Sequence, residues 1–419
     1  MAKTLQYRWV ICLLLSFGYV LVYFHRLCPA VLAVDLMRDL KASGSMTGFL
    51  GAAYFYPYAL MQLPAGLLSD SWGPRNTITF FFIVAFIGSI ILGTAPTPFW
   101  AIAGRTIVGL GVAMLFVPTM KIFAEWFEKK QFGLMAGLLM AVGGIGSLTA
   151  STPLVWLSAA VGWRNSFILI GIFTLLLAGL VRFFVYDRPS DIGLASLTGG
   201  STGITEAIGL SEGIKMVLTC GPFWPLAFLF FFDFATFFTI AGLWGGPYLM
   251  QVYGMSKAEA GHILTTLAVG IVLGSLLLTW LSDRVFHRRK PVVVMCCIVM
   301  VLVTSAFYRY TDQIPVWGLY GLFFILSVCG SAVGAVMFAM NKDLFPVRIT
   351  GTATGLVNLF PFAGAAVFQP LAGYILERYG KTGEAFQVAG YRAVFLILLG
   401  CAVIALICAV MTSETRKKA

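Results

Sequence analysis

Apolar stretches recur along the whole chain, separated by short polar gaps. Each has the ~20 residues that a helix needs to cross the ~30 Å hydrocarbon core of a bilayer. Twelve are read, at 9–33, 46–68, 77–95, 98–121, 133–157, 163–185, 221–248, 260–281, 291–310, 315–341, 350–374 and 389–411. The pattern predicts an all-α integral membrane protein with twelve transmembrane helices.

Polar residues inside these spans need a reason to be there. In the first span Tyr19, Tyr23 and Arg26 stand at i, i+4 and i+7, on one helical face. An arginine at bilayer depth costs ~2.5–3.5 kcal/mol on insertion scales. Two readings fit Arg26. It lines a polar cavity, where its planar fork suits carboxylate or phosphate, or it snorkels to the headgroups seventeen residues after Trp9. The second span repeats the stripe with Tyr54, Tyr58 and Gln62, which fits a cavity lining or hydrogen bonding between helices. The seventh span holds Asp233, the one carboxylate placed deep within any span, with Thr236 and Trp244 following at i+3 and i+11. A buried acid needs a proton or a cation, so Asp233 reads as a proton or substrate site, or as a protonated acid bonded to a backbone carbonyl. Asn341 closes the tenth span; Asn358 and Gln369 lie in the eleventh.

Composition agrees. The 419 residues are 59% hydrophobic and 11% charged, with mean hydropathy +0.92, where a soluble domain carries about 25% charged residues. Placing the N-terminus inside puts sixteen Lys and Arg on the inner side and eight on the outer. Both termini are therefore expected in the cytoplasm. The net charge of +11 reflects that bias and suggests no nucleic-acid partner. The first span has no small-residue cleavage site after a short apolar core, so no signal peptide is read. The eight cysteines lack zinc-site spacing. No nucleotide-binding P-loop appears. No cofactor, metal or catalytic group is expected.

Two stretches repeat. Phe127-x-x-Lys130-x-x-Gly133-x-x-x-Gly137 recurs 218 residues on as Phe345-x-x-Arg348-x-x-Gly351-x-x-x-Gly355, and Ser69-Asp70 recurs as Ser282-Asp283 before Arg284. Duplication of a six-span unit is what transporters built from two halves show. The expected division is 1–186, a polar cytoplasmic linker 187–215 containing Gly199-Gly200-Ser201-Thr202-Gly203, and 216–419. The turn Gly66-Leu-Leu-Ser-Asp70-Ser-Trp-Gly73-Pro-Arg75 resembles the signature loop of the major facilitator superfamily. Arg105-Thr-Ile-Val-Gly109-Leu-Gly111 is similar to that superfamily's fourth-helix arginine motif, and Glu125-Trp126-Phe127 with Lys129 and Lys130 fits its next inner loop.

The resemblance implies two six-helix bundles rocking about a central site, with the lipid bilayer and a small-molecule substrate as partners and a monomer as the expected state. A tyrosine-rich first helix bearing an arginine is similar to the branches that carry organic anions and phosphorylated metabolites. The organophosphate exchangers pair that arginine with one on the seventh helix, absent here. The anion:cation symporters have Asp-Arg where this chain has His25-Arg26, and an acid near Val112. Asp233 and His25 are left as proton-coupling candidates, with sodium as the alternative ion. Expected substrate contacts are Arg26, Tyr19, Tyr23, Tyr54, Tyr58, Gln62, Trp244, Asn341 and Asn358, with Asp233 facing Arg26 across the halves. Expected gating residues are Gly66, Asp70, Gly73, Arg75, Arg105, Asp283 and Arg284. Proton-coupled uptake of a small organic anion (a carboxylate, sugar acid or phosphorylated metabolite) is the leading reading. A drug, amino-acid or peptide carrier of the same fold, or a transport-fold sensor, is the alternative. An intramembrane enzyme would need a nucleophile–base pair or metal cluster that the three histidines do not supply.

Overall fold

The computed structural model describes residues 2–128, 131–194, 210–346 and 349–414. Lys129, Lys130, Arg348 and the glycine-rich centre of the expected linker lie outside them. Ten described helices are long and apolar enough to cross a membrane. The sequence count of twelve is higher by two, because two expected spans are interrupted. The second is cut into Gly44–Ala52, Phe55–Leu60 and Gln62–Ser71. The fifth runs as Phe132–Thr149 and continues into Thr152–Phe184, where Gly162 at φ 80° and ψ 158° breaks the helical path toward the sixth. The left-handed φ suits a residue without Cβ.

Prolines explain the breaks. A proline lacks the amide that would bond the carbonyl four residues back, and its ring crowds that carbonyl. Pro57 and Pro64 fall four residues after Ala53 and Leu60, at the two breaks of the second span, and Pro153 falls four after Thr149. In lipid a freed carbonyl needs a new donor. Pro29 ends the first helix at Leu27 and frees the carbonyl of His25, which accepts Arg105 Nη1–H at 2.8 Å. Pro370 frees the carbonyl of Ala366, which accepts the Tyr56 hydroxyl at 2.8 Å. The first bond ties the first span to the fourth; the second ties the two halves together.

Both termini lie at one face, where Tyr7 bonds the Phe184 carbonyl and Lys290 the Val410 carbonyl. The halves meet toward the opposite, far face. There Glu377 accepts the amide and hydroxyl of Ser45, at 3.1 and 2.7 Å. Lys257 pairs with Asp35 and donates to Ser158 Oγ at 2.8 Å. Ser151 and Thr152 share hydrogen bonds with Thr265 at 2.9 and 3.0 Å. Asn358 Nδ2 donates to Gln62 Oε1 at 2.7 Å.

Near the far face Asp39 ties the second-span entry to the start of the sixth span. It accepts Trp163 Nε1–H at 2.8 Å and lies 3.5 Å from Arg164. Partial burial pushes its carboxyl up, but the Trp163 indole with Arg38 and Arg164 holds it below the ordinary carboxylate range. Its contribution is present above the unfolded pKa and fades as pH falls through the lowered value.

Close backbone contact makes the far-face closure. A Cβ on Gly48 would stand 2.5 Å from Pro370 Cα and 2.6 Å from the Gln369 carbonyl, where backbone cannot yield cheaply. In a Gly48→Val variant, spin labels at Lys41 and Lys381 should move apart by more than about 2 Å relative to wild type. An unchanged label separation in correctly inserted protein would show that this contact does not hold the face shut.

Candidate functional site

Arg26 ends the first helix just before the Pro29 break and is 7% exposed. Its guanidinium carbon lies 4.7 Å from the Tyr23 ring, 5.1 Å from Tyr58, 5.0 Å from Phe362 and 5.9 Å from Phe238. These rings come from the first, second, eleventh and seventh spans, so the cage is built by both halves. A ring face attracts a cation, more strongly once water is excluded. Among the described residues no carboxylate forms a salt bridge with Arg26, and its buried Nε has no hydrogen-bond partner. Burial within the bundle excludes the snorkelling reading.

The second-span stripe continues the cage. Tyr54 and Tyr58 stack at 5.5 Å with an interplanar angle of 21°. Arg26 caps the Tyr58 end and Arg105, 5.2 Å from Tyr54, the other. Arg105, expected among the gating residues, lies in the interior, 1% exposed, with Nη1 donating to the carbonyl freed by Pro29. Its Nε and Nη2 are unpartnered. His25 is fully buried with both ring nitrogens unpartnered. Tyr19 and Tyr23 point their hydroxyls at Met140 Sδ, 3.6 and 3.9 Å away. Gln62 donates to the Tyr58 carbonyl at 3.0 Å and accepts from Asn358, so two expected contacts form a direct cross-half bond.

Three expected residues lie elsewhere. Asp233 does not face Arg26. Phe238 does, and five residues earlier along a helix lies about 140° round the axis. Asp233 instead sits inside the second half, 1% exposed, with Cys296, Cys297 and Cys329 as electrostatic neighbours and Oδ2 unpartnered. Trp244 is sealed in the far-face closure, its indole donating to the Gln369 carbonyl at 3.0 Å. Its ring packs against Phe386. Asn341 is fully buried with both amide atoms unpartnered. Among the described residues no group of three or more His, Cys, Asp or Glu side chains is placed to hold a metal ion.

The turn at the termini face is bolted to the first half. Gly73, at φ 83°, leaves no room for a Cβ beside Asp187. The Arg75 amide donates to Asp187 Oδ1 at 2.7 Å, and Arg75 Nε to the Arg182 carbonyl at 3.0 Å. Burial pushes the Asp187 carboxyl above its ordinary range, against the pull of Arg75. Asp70 pairs with Lys121, which also bonds the Gly66 carbonyl at 2.8 Å. Asp283 and Arg284 are exposed in the matching turn of the second half.

Phe238 and Phe362 have no polar signature, and in a chain with 36 phenylalanines spacing alone does not single them out. Gln369 is noted in sequence only as a polar residue. In the structure its Nε2 donates to the Phe238 carbonyl at 2.8 Å, fixing the backbone behind the cage. A deep glutamine followed by proline is the sequence signal that could have singled it out.

A family profile described as Major Facilitator Superfamily matches residues 15–246 and 223–419. Among similar proteins, a probable galactarate/D-glucarate transporter of Bacillus subtilis is 25% identical over 94% of this chain and 91% of its own. A probable hexose phosphate transport protein of Chlamydia trachomatis is 25% identical over 93% of this chain and 87% of its own. A solved bacterial homologue of the human lysosomal transporter Spinster, in an inward-facing conformation, superposes with TM-score 0.78 at 16% identity over 97% of each chain, which speaks to fold. The two matched regions together run through both halves of the repeat, and the chain belongs to the major facilitator superfamily.

Proposed function

We propose that this protein is a secondary active transporter that moves a small organic anion by alternating access, with Arg26 gripping the anionic group. The observation that carries this reading is a buried guanidinium with no carboxylate partner among the described residues, caged by side chains of both halves. A charge so placed is an anion site by default. Relatives named for galactarate, D-glucarate and hexose phosphate transport support the substrate charge. Tyr58 and Gln62 with Asn358 border the site, and Tyr19, Tyr23 and Tyr54 set the position of Arg26. The division at 187–215, cytoplasmic termini in an inner membrane, and a monomer complete the proposal.

Coupling to a proton is assigned to Asp233, supported by its burial and its unpartnered oxygen, with His25 as the second candidate. Because Asp233 lies inside the second half, its proton acts by changing how that bundle packs and not by touching the substrate. Asp70 with Lys121, Arg75, and Asp283 with Arg284 are assigned to the gate at the termini face.

Arg26→Ala should cost ~2–5 kcal/mol of substrate affinity, as truncating a desolvated charge partner does, and Arg26→Lys should fail nearly as badly because a point charge does not replace a fork. Normal uptake by correctly inserted Arg26→Ala protein in vesicles would refute the assignment. Asp70→Asn should slow uptake about tenfold while substrate affinity stays within about threefold, since it biases the conformational equilibrium from outside the site. An affinity loss equal to the rate loss would place Asp70 in the site instead. Asp233→Asn should abolish pH-driven accumulation yet allow substrate exchange across the membrane, because the amide mimics the protonated acid. Undiminished accumulation with the same pH dependence would move the coupling role to His25, which ordinarily titrates near neutral pH.

A further inference from the structure

Arg26 is not the only buried guanidinium beside the tyrosine stack. Arg105 stands over the Tyr54 ring at 5.2 Å, as Arg26 stands over Tyr58 at 5.1 Å, and the two rings are 5.5 Å apart. The two charges therefore bracket one aromatic wall. Arg105 is only partly used. Its Nη1 donates to the His25 carbonyl at 2.8 Å and lies 3.6 Å from Cys28 Sγ, while Nε and Nη2 are buried without partners. Those two nitrogens share one edge of the guanidinium fork. The His25 ring, an electrostatic neighbour of Arg105, is fully buried with both nitrogens unpartnered. Behind the Arg26 cage, Gln369 Oε1 is also unpartnered. Among the described residues no carboxylate forms a salt bridge with either arginine.

Two like charges away from water raise each other's cost, and an arginine cannot shed its proton to escape. A monoanion on Arg26 answers one charge and leaves the other. A cargo with an anionic group at each end answers both. The free Nε–Nη2 edge of Arg105 is the side of the fork that receives a carboxylate through two parallel hydrogen bonds, and the His25 ring offers a further donor or acceptor. We infer that the cargo is a dianion with one anionic group at each end, the first held by Arg26 and the second by the free edge of Arg105 beside His25. This rests on the proposed role of Arg26 and deepens it. The body between the ends lies along the Tyr54–Tyr58 wall.

The test is calorimetric titration of the purified full-length chain in lipid nanodiscs, in wild type, Arg26→Ala and Arg105→Gln. The probes are two matched pairs, adipate with monomethyl adipate and D-glucarate with D-gluconate. Each pair keeps the body and removes one charge. In whichever pair binds wild type, the dianion should bind at least about tenfold more tightly than its monoanion. Arg105→Gln should shrink that ratio to about threefold or less, with the monoanion's affinity within about threefold of wild type. Arg26→Ala should weaken both members about tenfold or more. Should Arg105→Gln fail to insert, His25→Asp, which sets a carboxylate beside Arg105, should shrink the ratio in the same way. Equal binding within the pair in wild type, still dependent on Arg26, would overturn the inference and leave the anion-carrier reading standing. An undiminished preference in Arg105→Gln or His25→Asp would also overturn it. If no probe binds in an Arg26-dependent way, the inference and the role of Arg26 fall together.

Discussion

A permanent positive charge is held inside a membrane bundle with no carboxylate among the described residues to answer it, and much of the central structure serves that arrangement. Arg26 cannot shed its proton to escape burial. Its cost is offset by ring faces, which attract a cation without neutralising it. A neighbouring carboxylate would have neutralised the charge, which the ring faces do not. The aromatic cage makes the buried guanidinium tolerable, and on the proposed role of Arg26 it leaves the charge open to an anion. Because the rings belong to spans one, two, seven and eleven, any rocking of the halves changes the cage.

Proline is the device that delivers polar partners to an otherwise apolar interior. In an uninterrupted helix each carbonyl already accepts the amide four residues on, and a proline removes that amide. Pro29 releases the His25 carbonyl and Pro370 that of Ala366, and side-chain donors from other helices take both. Arg105 on the His25 carbonyl fixes the first span to the fourth beside the cage, and Tyr56 on the Ala366 carbonyl joins the halves. Breaks at prolines also keep two expected spans from being single continuous rods.

The closure is asymmetric between the faces. Toward the far face glycines let backbones touch, and Glu377, Lys257 and Trp244 add directed bonds. At the termini face the prominent contacts of Asp70 and Arg75 stay within the first half. An exposed pair such as Asp70 with Lys121 is worth little by itself, which agrees with the gating role proposed for it.

The sequence by itself determined the helical architecture, the repeat and the residues that had to be explained. Length and apolarity are local properties, and a charge inside an apolar run stands out without any knowledge of its neighbours. Prolines are as visible, but Pro57 and Pro64 stand at breaks while Pro361 and Pro370 lie inside one continuous helix. Which way each side chain faces was decided by tertiary structure. Asp233 and Phe238 lie in one span five residues apart, and only the rotation of that helix in its bundle sends the phenyl ring to Arg26 and the carboxyl to the cysteines. Phe362, more than three hundred residues from Arg26 in sequence, becomes its neighbour through packing of the halves. Arg105 matches a local motif, yet its place beside His25 follows from a proline in another helix. Periodicity gives a face relative to its own axis; the direction in which that face points is set by contacts between distant parts of the chain.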